Sequence, residues 1–122
     1  MFGLFSKRKE EKIRLKVEQL LEEGLNKISH RLYNQGMINF NNAIALNKSL
    51  VGKILVENFN KFYEVGDWES TISIGSVILQ IVPDNHVIAN KIGNCARKTG
   101  DYKQANNFYR IAPIPPRHPR IN

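Results

Sequence analysis

A short string recurs in this chain at a fixed distance, and the recurrence limits the possible folds more than any other feature. Gly66-Asp67-Trp68 and Gly100-Asp101-Tyr102 each read as a glycine-aspartate turn followed by an aromatic residue, with the two glycines 34 residues apart. A period of about 20 to 50 residues is typical of repeat proteins, whose units bury their apolar faces against one another. The recurrence therefore predicts a stack of similar units.

The similarity between the two copies extends to both sides of the turn. Small or aromatic residues surround the second turn at fixed offsets from Gly100, namely Gly93, Ala105, Tyr109 and Ala112. Small or apolar residues hold the later offsets after Gly66, and Pro83 follows where a second helix should end. Phe59 is an exception, because it replaces the small residue found at Gly93.

An earlier copy lies 35 residues upstream, with Tyr33 in the place of Trp68 and Gly24 in the place of Gly93. Its turn is Arg31-Leu32 and lacks the glycine-aspartate pair. The three copies predict helix pairs at 17–51, 52–85 and 86–112, although the third period formally runs to 119. A basic helical extension at 1–16 would precede them, and a proline-rich tail at 113–122 would follow.

The period, the paired small residues, the glycine-aspartate-aromatic turn and the closing proline resemble the tetratricopeptide repeat family. The resemblance covers about 100 of the 122 residues. It implies one all-α domain, an α-solenoid of three tetratricopeptide-like helix pairs with an extended proline-rich C-terminal tail. Residues Thr71 to Val82 are rich in isoleucine and valine and taken alone would favour a strand. The repeat register nevertheless predicts a helix there, since intrinsic propensity is the weaker signal.

Each end of the chain allows two interpretations. Phe2, Leu4 and Phe5 adjoin a basic run, which could anchor the chain to a membrane surface or form a solvated charge run. We favour the second, because three apolar residues give little membrane affinity. Prolines exclude a helix from 113–122. That tail could be a ligand for a proline-binding groove, or a strap over the last helix, which we favour.

The sequence contains no recognisable catalytic or cofactor-binding motif, so we expect neither enzymatic activity nor a cofactor or metal. The three histidines stand apart, and no Cys-x-x-Cys pair or glycine-rich phosphate loop is present. Cys95 cannot form an internal disulfide by itself, and we expect it to be a small packed residue. Asp67 and Asp101 recur at the repeat period, which favours helix capping over catalysis. The lone cysteine and the absence of a typical export signal favour a cytoplasmic protein.

The resemblance also implies a binding surface, because the first helices of such pairs line a concave groove. The register places Val56 and Glu64 there, and the residues that we predict to bind a partner in the second and third copies are Lys53, Glu57, Asn60, Tyr63, Asn90, Lys91, Asn94, Arg97 and Lys98. Glu18, Leu21, Glu22 and Leu25 would line it in the first copy. Asn60 and Asn94 are equivalent, and an amide can pair with the backbone of an extended peptide.

The distribution of charge favours a protein partner. The net charge of the chain is +7, but residues 52–85 are acidic, whereas 1–16 and 86–122 are basic. A nucleic-acid-binding protein using the basic ends remains an alternative, as does a peripheral membrane scaffold. The small size resembles bacterial immunity proteins that neutralise a cognate toxin, or secretion chaperones. The exposed third copy also allows a homodimer.

Overall fold

The computed structural model describes residues 2–111, with side chains from residue 7 onward, and six α-helices account for most of this range. The helices are α1 (Phe2–Ser29), α2 (Tyr33–Leu46), α3 (Lys48–Glu64), α4 (Trp68–Ile81), α5 (His86–Lys98) and α6 (Tyr102–Ile111). The described range contains no strand, so the prediction of an all-α fold is confirmed. The predicted tail at 113–122 lies outside the described residues.

The first helix begins well before the first repeat copy. α1 runs unbroken from Phe2, as the extension predicted for 1–16 requires, and Val17 is the first fully buried side chain in the described part of the chain. Ile13, one turn earlier, is partly buried against the core. α3 begins at Lys48, so the junction predicted between residues 51 and 52 lies inside that helix.

A glycine faces an aromatic ring across each of the helix pairs α1–α2, α3–α4 and α5–α6. The contacts are Gly24 with Phe40, Gly75 with Phe59, and Gly93 with Tyr109. A Cβ atom added to these glycines would lie 2.6, 2.7 and 2.5 Å from the respective ring, closer than side-chain atoms can approach. The helices of the first two pairs are antiparallel, because Gly24 and Ile28 of α1 meet Phe40 and Gly36 of α2 in reverse order, as Gly52 and Phe59 of α3 meet Ile81 and Gly75 of α4.

The second pair carries the same contact with its partners exchanged. In the first and third pairs the glycine lies on the first helix, whereas in the second pair Phe59 lies there and Gly75 lies on α4. Phe59 is fully buried. The departure of Phe59 from the repeat pattern is therefore compensated across the interface, and the ring and the small residue still fill one space.

The isoleucine-rich segment is helical, as the repeat register predicts. α4 covers Trp68–Ile81, and its side chains Ile74, Val77 and Ile78 are buried in the core. Burial on three sides by other helices outweighs the modest preference of β-branched residues for strands.

Three turns share one backbone geometry, including the turn that lacks glycine. Arg31, Gly66 and Gly100 have φ of 64°, 77° and 86°, in the left-handed region. In each turn the N–H of the following residue donates to the carbonyl oxygen five residues earlier. The N–O distances are 2.9 Å for Leu32, 3.0 Å for Asp67 and 2.9 Å for Asp101. This is a Schellman helix ending. Asp67 and Asp101 then cap α4 and α6 by accepting from the N–H of Ser70 at 3.3 Å and of Gln104 at 3.0 Å, which confirms the capping prediction.

We predict that Gly75→Ala lowers the free energy of unfolding by about 1–3 kcal/mol, because the added methyl group overlaps Ile92 and Phe59. Gly52→Ala is the matched control. Its Cβ would meet Ile81 at an ordinary 3.6 Å, so helix propensity alone should leave stability unchanged or raise it by about 0.5–1 kcal/mol. Urea unfolding followed by circular dichroism measures both, and equal effects would contradict the prediction.

Candidate partner-binding face

The residues predicted to bind a partner lie on helices α3 and α5. α3 carries Lys53, Glu57, Asn60 and Tyr63, and α5 carries Asn90, Lys91, Asn94, Arg97 and Lys98. We call these nine residues the α3–α5 face. In the structure, some of them form a central cluster, Lys53 and Glu57 line a pocket towards the start of α3, and the others differ in their contacts.

Asn60, Tyr63 and Lys91 form the central cluster. The Lys91 ammonium donates to Asn60 Oδ1 at 3.3 Å and lies 5.3 Å from the centroid of the Tyr63 ring. With Glu64 these residues line a concavity of about 420 Å³. Both close partners of Lys91 are uncharged, so its positive charge remains available to an acidic group. The cluster presents an amide, an aromatic ring and an ammonium side by side.

A row of aromatic rings extends the cluster towards the turn after α3. Tyr63 packs edge-to-face against Phe59 and Trp68, with centroid distances of 6.3 and 5.9 Å. The Lys98 ammonium lies 6.0 Å from the Trp68 centroid. Two lysines of α5 thus rest on two neighbouring rings. Sequence analysis treated Trp68 only as a turn residue, because its approach to Lys98 depends on how the second and third pairs stack.

Asn94 is used differently from Asn60, although the two are equivalent in the repeat. Asn94 Oδ1 accepts a hydrogen bond from the Tyr109 hydroxyl at 2.7 Å and so joins α5 to α6. Asn90 Oδ1 is buried and has no hydrogen-bond partner among the described residues. The Arg97 side chain is exposed. Of the five α5 residues, Lys91 and Lys98 therefore have the closest contacts with the aromatic row.

Lys53 and Glu57 lie apart from the cluster, at the rim of an apolar pocket of about 510 Å³. Its other lining residues are Ser49, Gly52, Val56, Ile78, Ile81, Val82 and Asn85, which come mainly from α3 and the end of α4. The predicted groove was incomplete in this region, because the prediction used only the first helix of each pair and missed the wall that α4 provides.

The predicted residues of the first copy line a smaller concavity. Glu18, Leu21, Glu22 and Leu25 of α1 and Ile54 of α3 enclose about 250 Å³. Leu21 is only 1% exposed, so it belongs to the core rather than to an open groove. The two glutamates make this end of the surface acidic, opposite in sign to the lysines of α5.

An ion pair joins the first two turns at the edge of the molecule. Arg31 Nη1 donates to Asp67 Oδ1 at 2.7 Å, to the Tyr33 hydroxyl at 2.7 Å and to Ser70 Oγ at 3.3 Å. Partial burial on its own raises the pKa of Asp67, but hydrogen bonds from Arg31 and Ser70 outweigh it, so that this pKa lies below its ordinary value. The hydrogen bonds to Asp67 and to Tyr33 raise the pKa of Arg31.

We predict that Asp67→Asn lowers the free energy of unfolding by about 0.2–1 kcal/mol at pH 7, through loss of the charged hydrogen bond to the solvent-exposed Arg31. Asp101→Asn is the control, because Asp101 is also an N-cap and asparagine caps equally well. Because the folded pKa of Asp67 is lowered, its stabilisation is present above the unfolded pKa of about 3.9 and is lost as the pH falls through the folded value. Urea unfolding is measured at pH 7 and at a pH below the folded pKa of Asp67. The free energies of unfolding of the two variants should differ at pH 7 and converge in acid, and a difference that persists in acid would contradict the ion-pair account.

Cys95, the one cysteine of the chain, is buried. Burial raises the pKa of the Cys95 thiol to about 11, although a hydrogen bond with Thr71 partly opposes it. The thiol is therefore protonated at neutral pH, and a nucleophile requires the thiolate. No cluster of three or more potential metal ligands occurs among the described residues.

We predict that Cys95 reacts with iodoacetamide more than about a hundredfold more slowly in the folded protein than in urea at pH 8, since a free thiol has a pKa near 8.5. Rates measured between pH 7 and pH 10 should rise with pH without levelling off. A plateau below pH 9 would identify an activated thiolate instead.

In comparisons with known proteins, no family model matches the sequence and no curated protein matches it. Within the described residues, no helix is both long enough and apolar enough to cross a bilayer.

Proposed function

We propose that this chain is a non-enzymatic protein-binding adaptor, in which three tetratricopeptide-like helix pairs stack as an α-solenoid and the α3–α5 face holds a segment of a protein partner. The observation that carries the proposal is the central cluster of Asn60, Tyr63 and Lys91. An amide can donate to and accept from a peptide backbone, an aromatic ring offers apolar contact, and an ammonium attracts a carboxylate.

The solenoid itself is supported by features that repeat along the chain. The glycine–aromatic contact occurs in all three pairs, and the left-handed turn residue recurs at Arg31, Gly66 and Gly100. Such periodic contacts are what a stack of similar units requires.

The charges along the surface indicate what kind of segment would fit. Glu18 and Glu22 lie at the α1 end, whereas Lys91 and Lys98 lie at the α5 end. A segment that is basic at one end and acidic at the other would be oriented by this gradient. The apolar pocket beside Lys53 would take an aliphatic side chain between them. A single cognate partner, as for an immunity protein or a secretion chaperone, fits this surface, and the buried Cys95 thiol fits the reducing cytoplasm.

The test is affinity capture from native lysate with nuclease, at low and high salt, using the wild type and matched variants. We expect one protein to be retained under all conditions, and its affinity to fall at least about tenfold with Asn60→Ala or Lys91→Glu. Lys103→Glu is the control for Lys91→Glu, because Lys103 is exposed on α6 and its substitution changes the charge by the same amount.

Two results would contradict the proposal. One is capture that is unaffected by both variants of the central cluster. The other is retained material that disappears with nuclease, which would favour the basic ends and a nucleic-acid partner.

A further inference from the structure

The first half of α1 forms a separate surface, which we call the arm and define as residues 2–16. α1 has 28 residues and its hairpin partner α2 has 14. At 1.5 Å per residue α1 spans about 42 Å and α2 about 21 Å, so α2 can cover only half of α1. Residues 7–12 are all exposed, and burial begins with Ile13 and Val17. The arm therefore projects from the helix pairs.

The arm is strongly basic, and most of its charges are unpaired within the described part of the chain. Its six basic residues are Lys7, Arg8, Lys9, Lys12, Arg14 and Lys16, against the two acidic residues Glu10 and Glu11. Among residues 7–111, Arg14 is the only one of the six that forms an ion pair, and it binds both Glu11 and Glu18. The other five basic side chains are exposed and form no ion pair among residues 7–111.

The register of the helix separates these charges from the core. Lys9, Lys12 and Lys16 are spaced at i, i+3 and i+7 and share one face of α1. Arg8 and Leu15, seven residues apart, form the stripe beside it. Glu10 instead falls in line with the core-facing Ile13 and Val17.

Leu15 marks the outward side of the arm. It lies two residues from Ile13 and two from Val17, which places it on the opposite side of the helix, and it is 54% exposed. The outward face therefore combines basic residues with the apolar Leu15. Of the two glutamates of the arm, Glu10 lies on the core side and Glu11 is paired with Arg14.

We propose that the arm lies along an anionic lipid surface, with its basic residues at the headgroups and its apolar residues in the interface. A helix with basic and apolar residues on one face binds membranes in this orientation, and each basic residue adds attraction to anionic lipids. A nucleic acid would use the same charges but gives no role to the exposed Leu15 on that side of the helix. Sequence analysis counted only three apolar residues and favoured solvent. The structure adds Leu15, which is exposed on the same side of α1 as Arg8.

This inference does not depend on the α3–α5 face, and it is tested with the full chain and defined vesicles. We expect co-sedimentation with vesicles of phosphatidylcholine containing 30% phosphatidylglycerol, weaker binding at high salt, and none with phosphatidylcholine alone. The variant Lys9→Gln/Lys12→Gln/Lys16→Gln should bind more than about tenfold more weakly. Lys48→Gln/Lys61→Gln/Lys103→Gln is the matched control, since it removes the same charge from exposed positions outside the arm and should bind like the wild type.

A second variant separates a membrane from other polyanions. Phe5→Ser/Leu15→Ser changes no charge, and it should weaken vesicle binding while leaving the helical circular dichroism signal near that of the wild type. Absence of wild-type binding at low salt would overturn the inference, as would equal losses in the arm variant and its control. Vesicle binding that is indifferent to the serine variant, accompanied by equal affinity for duplex DNA, would also overturn it and identify a general polyanion surface.

Discussion

The close contact between a glycine backbone and an aromatic ring is the interaction on which the helix pairs depend. At Gly24, Gly75 and Gly93 the partner ring occupies the space that a Cβ atom would need. The two helix backbones can therefore approach closely, and the ring fills the remaining volume without a void. Because the ring and the small residue share one volume, either helix can supply either partner, as the exchanged arrangement at Phe59 and Gly75 shows. The space between two paired helices thus limits the combined size of two facing residues more strongly than the size of each residue alone.

At each junction between neighbouring helix pairs a basic side chain contacts a residue at the turn of the second pair or beside it, but the two contacts differ in kind. Arg31 occupies the left-handed position of the first turn and reaches the aspartate of the second, Asp67. The corresponding residue of the second turn is Gly66, which has no side chain to reach Asp101. At that junction Lys98 of α5 instead lies over the ring of Trp68. The left-handed conformation is less favourable for arginine than for glycine, so the first junction accepts local backbone strain together with its ion pair.

Sequence analysis predicted the class of fold and the caps because these depend on local or periodic signals. The spacing of Gly66 and Gly100, and the aspartates after them, are visible in the letters alone. The same reasoning could not separate Asn60 from Asn94, since the repeat makes them equivalent. They differ because the Tyr109 hydroxyl donates a hydrogen bond to Asn94 Oδ1, whereas the Lys91 ammonium donates to Asn60 Oδ1. Such pairings depend on side-chain reach across an interface, and periodicity carries no information about it.

The change in character along α1 connects its two parts. Before Val17 the outward side is basic, and after it the helix carries the acidic residues Glu18, Glu22 and Glu23. Arg14 bridges this boundary by binding Glu11 on one side and Glu18 on the other. An anionic surface would attract the first half and repel the second, so the acidic half would tend to keep the helix pairs away from the lipid. Since one unbroken helix contains both halves, the orientation of the arm on a surface would also set the direction in which Glu18 and Glu22 face.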